Sequence, residues 1–215
     1  MFDVYDERSL NNVYRRKRFR FFLSQLEKLK SDKPISILDI GGTQSFWEKM
    51  NFTDTELVHI TLLNLHLEKT RFKNFSSIQK DACNLSGIKD KEFDIVHSNS
   101  VIEHLSTKEN QQKMANEVRR VGKYYYVQTP DYSFPIEPHW VFPFFHYLPF
   151  GLRVFLTRYL PLATTASDIE TARRLVREVR LLTLEEMKCL FPEGKVFPEK
   201  IWGLTKSFTL YYFPE

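Results

Sequence analysis

Cysteine is scarce in this chain of 215 residues, and its scarcity limits what the protein can be. The two cysteines, Cys83 and Cys189, lie far apart, and neither belongs to a CxxC pair. This pattern argues against a zinc site, so we expect no metal. It also fits a reducing, cytoplasmic setting.

Long apolar runs are missing as well. No stretch reaches about 18 uninterrupted apolar residues, which is the length that a membrane-spanning helix needs. The first ten residues, MFDVYDERSL, lack the basic-then-apolar order of a signal peptide. We therefore expect a cytoplasmic protein, and attachment to the inner face of the membrane stays open.

Charge of one sign does not dominate the sequence. The formal net charge of +4 is too weak by itself to indicate a nucleic-acid partner. A hydrophobic fraction of 42% and a charged fraction of 27% are ordinary for a globular protein. The length favours one domain with room for a core and an elaboration.

A short strand followed by a glycine turn is the first positive feature. The run ISILDI predicts a buried parallel strand that ends near Asp39, and Gly41 and Gly42 then allow a tight turn that a ligand can approach closely. Phe46 and Trp47 begin a helical segment. Strand, glycine turn and helix are typical of a site for an adenosine-containing cofactor, although a plain strand–turn junction has the same pattern.

Strands and helices alternate along the rest of the chain. The apolar patterns predict further strands near residues 57–65, 77–80, 93–98 and 124–127. They predict helices near residues 7–30, 108–121, 151–162, 164–181 and 184–190, the second of these ending at Gly122. This alternation indicates βαβ units, and therefore an α/β fold with a mostly parallel sheet.

Two polar residues fall where predicted strands end. Asn64 lies 23 positions after Gly41, close to the interval of ~20 residues at which nucleotide-binding folds place a side chain against the ribose. An amide oxygen accepts hydrogen bonds there, though more weakly than a carboxylate. Asp81 stands where it can accept from an adenine amine, or it begins a turn before Leu85.

The phrase FDIVHSNSVIEHL, residues 93–105, is the most specific in the sequence. Together with LDIGGT, LLNL and DACNL, in that order along the chain, it resembles the class I S-adenosylmethionine (SAM)-dependent methyltransferases, in particular their type 11 group. The resemblance implies a Rossmann-like sheet with helices on both faces, an N-terminal helix and an antiparallel C-terminal strand. It also implies SAM as cofactor, S-adenosylhomocysteine as product and a small-molecule acceptor, with no nucleic acid; a homodimer stays open.

The resemblance also implies a set of cofactor-binding residues. In the family's roles the glycine turn lines the methionine and ribose side, Asn64 meets the ribose, and the later strand ends meet the adenine and the sulfonium. The implied residues are Asp39, Gly41, Gly42, Thr43, Asn64, Asp81, Ala82, Asn99, Ser100 and Val101. The sequence departs from the family's glycine-rich loop at Thr43 and Ser45, and it has Asn64 in place of the usual acid.

Residues 131–181 form an insertion after the fifth strand, rich in proline and aromatic residues. This position lies over the transferred methyl in the resembled fold, so we expect an aromatic lid that shapes the substrate pocket. The candidates for taking a proton from the acceptor are Glu137, His139 and His146, which can equally serve to satisfy backbone groups. Tyr132, His104 and Trp140 are predicted to face the substrate.

Two other features of the insertion leave alternatives open. Its tryptophan- and phenylalanine-rich part can lie at a membrane interface or a subunit contact, although burial is favoured. Arg173, Arg174, Arg177 and Arg180 can bind phosphate or carboxylate, but a solvated face paired with glutamates is favoured.

The sequence thus predicts one methyltransferase domain over residues 1–215, with a SAM-binding core at 33–130, a lid at 131–181 and a C-terminal part at 182–215. Oxygen is favoured over nitrogen as acceptor atom, because SNSV stands where base amino-methyltransferases carry an N/D-P-P-Y/F phrase. A loose likeness to surface-glycan enzymes suggests a sugar or lipid-linked glycan. The alternatives are an NAD-dependent oxidoreductase, disfavoured by the missing G-x-G-x-x-G, and a non-catalytic membrane- or partner-binding protein.

Overall fold

A computed structural model describes residues 10–29 and 33–215. The strands are β1 (Ile35–Ile40), β2 (Val58–Asn64), β3 (Phe75–Gln79), β4 (Phe93–Asn99), β5 (Gly122–Pro130), β6 (Ile136–Glu137), β7 (Phe142–Pro143), β8 (Lys195–Ile201) and β9 (Leu204–Tyr212). The α-helices are α1 (Leu10–Leu26), α2 (Gln44–Lys49), α3 (Lys108–Val121), α4 (Phe150–Tyr159), α5 (Ile169–Glu178) and α6 (Leu184–Leu190).

Seven strands form one sheet in the order β3-β2-β1-β4-β5-β9-β8. The first five are parallel, whereas β9 is antiparallel to both β5 and β8. The predicted α/β fold with an antiparallel C-terminal strand is confirmed. Because the chain crosses back from β3 to β4, a crevice opens where β1 and β4 end, which is where such sheets bind ligands.

Helices cover both faces of the sheet, as predicted. Alternate residues of a strand point to opposite faces, so Ile37 packs toward α1 and α2 while Leu38 packs toward α3 and α6. Phe22 and Trp47 are completely buried on the first of these faces. The two apolar layers fix the sheet and, with it, the glycine turn at the end of β1.

The structure refines the predicted helix bounds. The helix α3 ends before Gly122, as predicted, and Gly122, with an extended φ of −95°, begins β5. A side chain there would meet Val96, so the glycine serves close packing. The predicted helix over 164–181 begins later, after Asp168 accepts from the Thr171 N–H at 2.8 Å. The first predicted helix overlaps α1, and its positions 7–9 and 30 lie outside the described residues.

The insertion has an apolar cluster of its own, in which α4 packs against α5. Trp140 is 3% exposed, stacks on Phe145 at 4.4 Å and donates from Nε1 to the Thr157 hydroxyl at 2.8 Å. Trp140 is therefore not available to a membrane surface, whereas Phe144 and Phe155 of the same segment are more than half exposed. Within residues 10–29 and 33–215, no helix has both the length and the apolar character to cross a bilayer.

Candidate active site

The turn after β1 has no room for side chains at its two glycines. Gly41 has a φ of +69°, and a Cβ there would lie 2.5 Å from a methyl of Val101. A Cβ on Gly42 would lie 1.8 Å from Oδ2 of Asp39. Gly41 also donates its N–H to the Leu63 carbonyl at 2.8 Å, which ties the turn to β2. The backbone of this turn is therefore held open and fixed, as a close approach to a ligand requires.

Asp39, at the end of β1, holds the start of the glycine turn in place through a buried network of hydrogen bonds. Its Oδ2 accepts from Nε1 of Trp47 and its Oδ1 contacts Nδ1 of His97, each at 2.7 Å. His97 lies beside Asp39 in the β1–β4 pairing and stacks on Tyr126. Both oxygens of Asp39 are thus bonded to side chains, so this residue orients the site.

Asn64 lies against the glycine turn from the neighbouring strand. Its side-chain N–H donates to the Gly42 carbonyl at 2.8 Å. That bond fixes the amide orientation, and no hydrogen bond within residues 10–29 and 33–215 involves the amide oxygen. A hydroxyl donor such as that of a ribose matches the remaining acceptor.

A cavity of about 320 Å³ opens at this edge of the sheet. It is lined by Arg15, Asp39, Gly41, Gly42, Thr43, Ser45, Phe46, Lys49, Met50, His97 and Asn99. Five of the predicted cofactor residues thus meet around one cavity, and Asn64 contacts its wall. His97 and Arg15 are not among the predicted residues, although the position of His97 in FDIVH, in register with Asp39, is a usable signal.

The remaining predicted cofactor residues lie outside that lining. Asp81 is exposed, and its Oδ1 accepts from the Cys83 N–H at 2.8 Å, which is the turn that the sequence allowed as an alternative. Ala82 is 8% exposed and packs in the core. Ser100 has a φ of +58° and bonds Gln128 with both its N–H and its hydroxyl. Their roles toward a cofactor stay predictions.

Two histidines and a glutamate form a second polar network. Nδ1 of His139 lies 2.6 Å from Oε1 of Glu137, and Nε2 of His139 lies 3.2 Å from Nε2 of His104. Glu137 is 1% exposed, and its Oε2 accepts the N–H groups of His139 and Trp140. The sequence-predicted pair Glu137 and His139 is therefore brought together, with His104 as the third member.

The surroundings of His139 and His104 shift the pKa values of these two histidines in opposite directions. Burial alone would lower the pKa of His139, but the hydrogen bond and charge of Glu137, with a contribution from Glu103, outweigh burial and raise it. Burial and the neighbouring His139 lower the pKa of His104 to about 4. An added proton is therefore held on His139 next to the Glu137 carboxylate.

Glu103 lies beside this network and is completely buried. Its Oε2 accepts from the Thr129 hydroxyl at 3.1 Å, while Oε1 has no hydrogen-bond partner among the described residues. Burial raises the pKa of Glu103 to about 7. Ligand atoms of Glu103, His104 and His139 all lie within 4.8 Å of one another, close enough for a metal ion. The contact between the two imidazoles equally fits one donor and one acceptor, so the expected absence of a metal stays a prediction.

Replacing Glu103 by glutamine is expected to remove a pH dependence of stability. The folded protein keeps this carboxyl protonated up to about pH 7, whereas the unfolded chain releases the proton near 4.5. Stability must therefore fall as pH rises between these values, by roughly 2 to 3 kcal/mol. Urea unfolding at pH 5 and pH 8 should show this fall in the wild type and not in Glu103→Gln. Equal falls in both proteins would contradict the assignment, and Glu170→Gln, on the surface, is the control.

His146 does not join the network of Glu137 and His139. It lies with Tyr132 and Trp140 in the lining of a second cavity, of about 640 Å³, and its ring contacts that of Tyr132 edge-on at 5.1 Å. Burial lowers the pKa of His146. Its predicted catalytic role stays a prediction, as does a substrate role for Tyr132, Trp140 and His104.

A parallel sheet with a glycine turn at its switch point, an anchoring acid and a neighbouring polar residue defines a Rossmann-like site for a nucleotide-type cofactor. Residues 38–124 match the family model described as a methyltransferase domain. The matched segment runs from β1 into β5 and contains the glycine turn, Asn64 and Glu103. The resemblance to class I SAM-dependent methyltransferases is thereby confirmed for this segment of the chain.

Solved structures share the fold over most of the chain. A selenomethionine-substituted CurJ carbon methyltransferase matches with a TM-score of 0.58 and 14% identity, over 98% of this chain and 56% of that one. A SAM-dependent methyltransferase from Archaeoglobus fulgidus matches with a TM-score of 0.53 and 12% identity, over 91% of each chain. At such identities the likeness shows the fold alone.

The lengths of the matched proteins differ from that of this chain. The chain covers 58%, 64% and 56% of the first three matching structures, which is less than two thirds of each. No significant match to a curated protein was found. The activity and substrate are therefore argued from the site itself.

Proposed function

We propose that this protein transfers the methyl group of SAM to an oxygen atom of a small-molecule acceptor. The observation that carries the proposal is the glycine turn, where Gly41 and Gly42 have no space for a Cβ and open onto the cavity at the ends of β1 and β4. Asn64 offers its amide oxygen at the same edge. The residues present therefore fit an adenosyl cofactor. The sugar or glycan acceptor suggested by the sequence stays a prediction.

When bound, SAM supplies a methyl group on a positively charged sulfur, so the chain's task is to position an acceptor and remove its proton. His139 and His104 share a hydrogen between their Nε2 atoms, and Nδ1 of His139 donates to Glu137. The proton that leaves an acceptor hydroxyl is taken up by this imidazole pair and rests on His139, where Glu137 stabilises the charge. Glu137 acts as a positioning residue, because it acts through His139.

Calorimetric titration with SAM tests the proposal directly. We expect saturable binding of SAM and of S-adenosylhomocysteine by the wild-type protein, together with a rise in melting temperature, because a ligand that binds only the folded state stabilises it. NAD should produce neither effect. Failure of SAM to bind at millimolar concentration, or stabilisation by NAD in its place, would overturn the proposal in favour of the oxidoreductase alternative or a non-catalytic protein.

A further inference from the structure

The second cavity, which we call the insertion cavity, adjoins the proposed proton-accepting pair. Its lining includes Tyr132, Glu137, Phe145, Arg153, Arg177 and Arg180. Glu137 is shared, because one side of it faces this cavity while its Oε1 bonds His139. The insertion cavity is therefore connected through Glu137 to the imidazole pair that is proposed to take the proton.

Positive charge in this cavity is only partly neutralised. Three arginines and two glutamates line it. Arg180 pairs with Glu186 and donates to Gln111, so that arginine is neutralised. Both carboxylate oxygens of Glu137 are already hydrogen-bonded, Oε1 to the His139 ring and Oε2 to two backbone N–H groups. Two guanidinium groups, those of Arg153 and Arg177, thus remain without a carboxylate partner among residues 10–29 and 33–215.

Arg153 is the more informative of these two. It stands on α4 with its guanidinium turned into the cavity, and its Nε is buried without a hydrogen-bond partner in the described part of the chain. Burial lowers the pKa of Arg153. Arg153 is half-buried, and the nearby charge of Glu137 offsets the effect of burial only in part. A bound anion would give the unpartnered Nε a hydrogen-bond acceptor and balance the remaining charge.

Arg177 lies at the mouth of the same cavity. It is exposed, and its guanidinium stacks over the Phe150 ring at 5.3 Å. Its neighbours on α5, Arg173 and Arg174, pair with Glu170 and Glu178, as the solvated-face alternative predicted. The arginines of α5 therefore divide into a paired surface set and one that faces the cavity.

We propose that the insertion cavity binds a carboxylate or phosphate group of the methyl acceptor, with Arg153 as its principal partner and Arg177 at the entrance. The planar guanidinium forms two parallel hydrogen bonds with either group. The rings of Tyr132, Trp140 and Phe145 give an apolar body a surface to pack against. This inference rests on the proposed function, because it names the class of acceptor for that reaction.

Binding of simple probes to four proteins tests this inference. Benzoate, phenyl phosphate and neutral benzyl alcohol are titrated by calorimetry into the wild type, Arg153→Met, Arg153→Lys and Arg158→Met. Arg158 lies on the same helix outside the cavity lining, so its variant is the matched control. We expect at least one anion to bind the wild type and the control, and to bind Arg153→Met at least about tenfold more weakly, with Arg153→Lys in between.

The two anions distinguish the source of the charge: stronger binding of benzoate indicates a carboxylate acceptor, and stronger binding of phenyl phosphate a phosphorylated one. Equal binding of benzyl alcohol, or unchanged anion binding in Arg153→Met, overturns the inference. Removing a half-buried cation that forms no ion pair should leave the melting temperature unchanged or higher. A clear fall for Arg153→Met, absent from Arg158→Met, would show a structural role and also overturn it.

Titration with SAM separates this inference from the proposed function. If SAM binds the wild type while neither anion does, the inference alone fails. If the anions bind through Arg153 while SAM does not, the methyltransferase proposal fails and the anion site stands. Unchanged SAM affinity in Arg153→Met is expected, because Arg153 does not line the cavity at the glycine turn.

Discussion

Replacing Gly42 by alanine is expected to lower the affinity for SAM by at least about a hundredfold, or about 2.7 kcal/mol. The added methyl would lie 1.8 Å from Oδ2 of Asp39, far inside van der Waals contact. Asp39 cannot move away easily, because it holds Trp47 and His97 at 2.7 Å each. Either the carboxylate breaks these buried bonds or the turn shifts from its place against the cofactor.

Calorimetry with SAM measures this loss, and urea unfolding is expected to show about 2 kcal/mol of destabilisation. Gly151→Ala is the matched control, since a Cβ at Gly151 meets no atom within 4 Å and the residue lies in α4. In a helix that exchange is neutral or stabilising by up to ~1 kcal/mol. Normal SAM binding by Gly42→Ala would show that the cofactor does not sit on this turn.

Replacing Glu137 by glutamine is expected to lower both the pKa of His139 and the rate of methyl transfer. The carboxylate raises this pKa through its charge and hydrogen bond, whereas burial alone would lower it. Without the charge, the pKa should fall below the ordinary value of about 6.5. A weaker base that no longer holds its proton should reduce kcat by about a hundredfold, with little change in KM.

Nuclear magnetic resonance of the imidazole ring follows the pKa of His139, and release of S-adenosylhomocysteine follows the rate. The neutral imidazole is the active base, so the wild-type rate should fall as pH drops through the raised pKa. In Glu137→Gln this fall in rate should occur at a lower pH than in the wild type. Glu170→Gln, which removes a surface carboxylate, should change neither quantity. An unchanged His139 pKa in Glu137→Gln would exclude this carboxylate as its partner.

Much of the fold follows from local patterns in the sequence. Apolar strands such as Ile35–Ile40 are buried on both faces, so their residues are almost all apolar and easy to recognise. Thr183 and Glu186 form the predicted capping box at the start of α6, because that motif involves only neighbouring residues. The end of α3 at Gly122 was predicted, but the close packing that requires glycine there involves Val96, a residue distant in sequence.

The site was only partly predictable for the same reason. Gly41, Gly42 and Asn64 were recognised, since a glycine turn and a spacing are visible along one chain. His97 and Arg153 were missed. His97 is recognised as the partner of Asp39 only when the register of β4 against β1 is known, and Arg153 becomes informative only when its surroundings show that its Nε has no hydrogen-bond partner.

The sequence by itself determined the alternation of strands and helices, the glycine turn and the resemblance to SAM-dependent methyltransferases, because each depends on residues that are close along the chain. Only the tertiary structure decided that Asp39 is held by Trp47 and His97, that Glu137 orients His139, and that Arg153 faces a cavity. Hydrogen bonds and unpaired charges are properties of groups that folding brings together, so their partners cannot be identified before the strands and helices are packed.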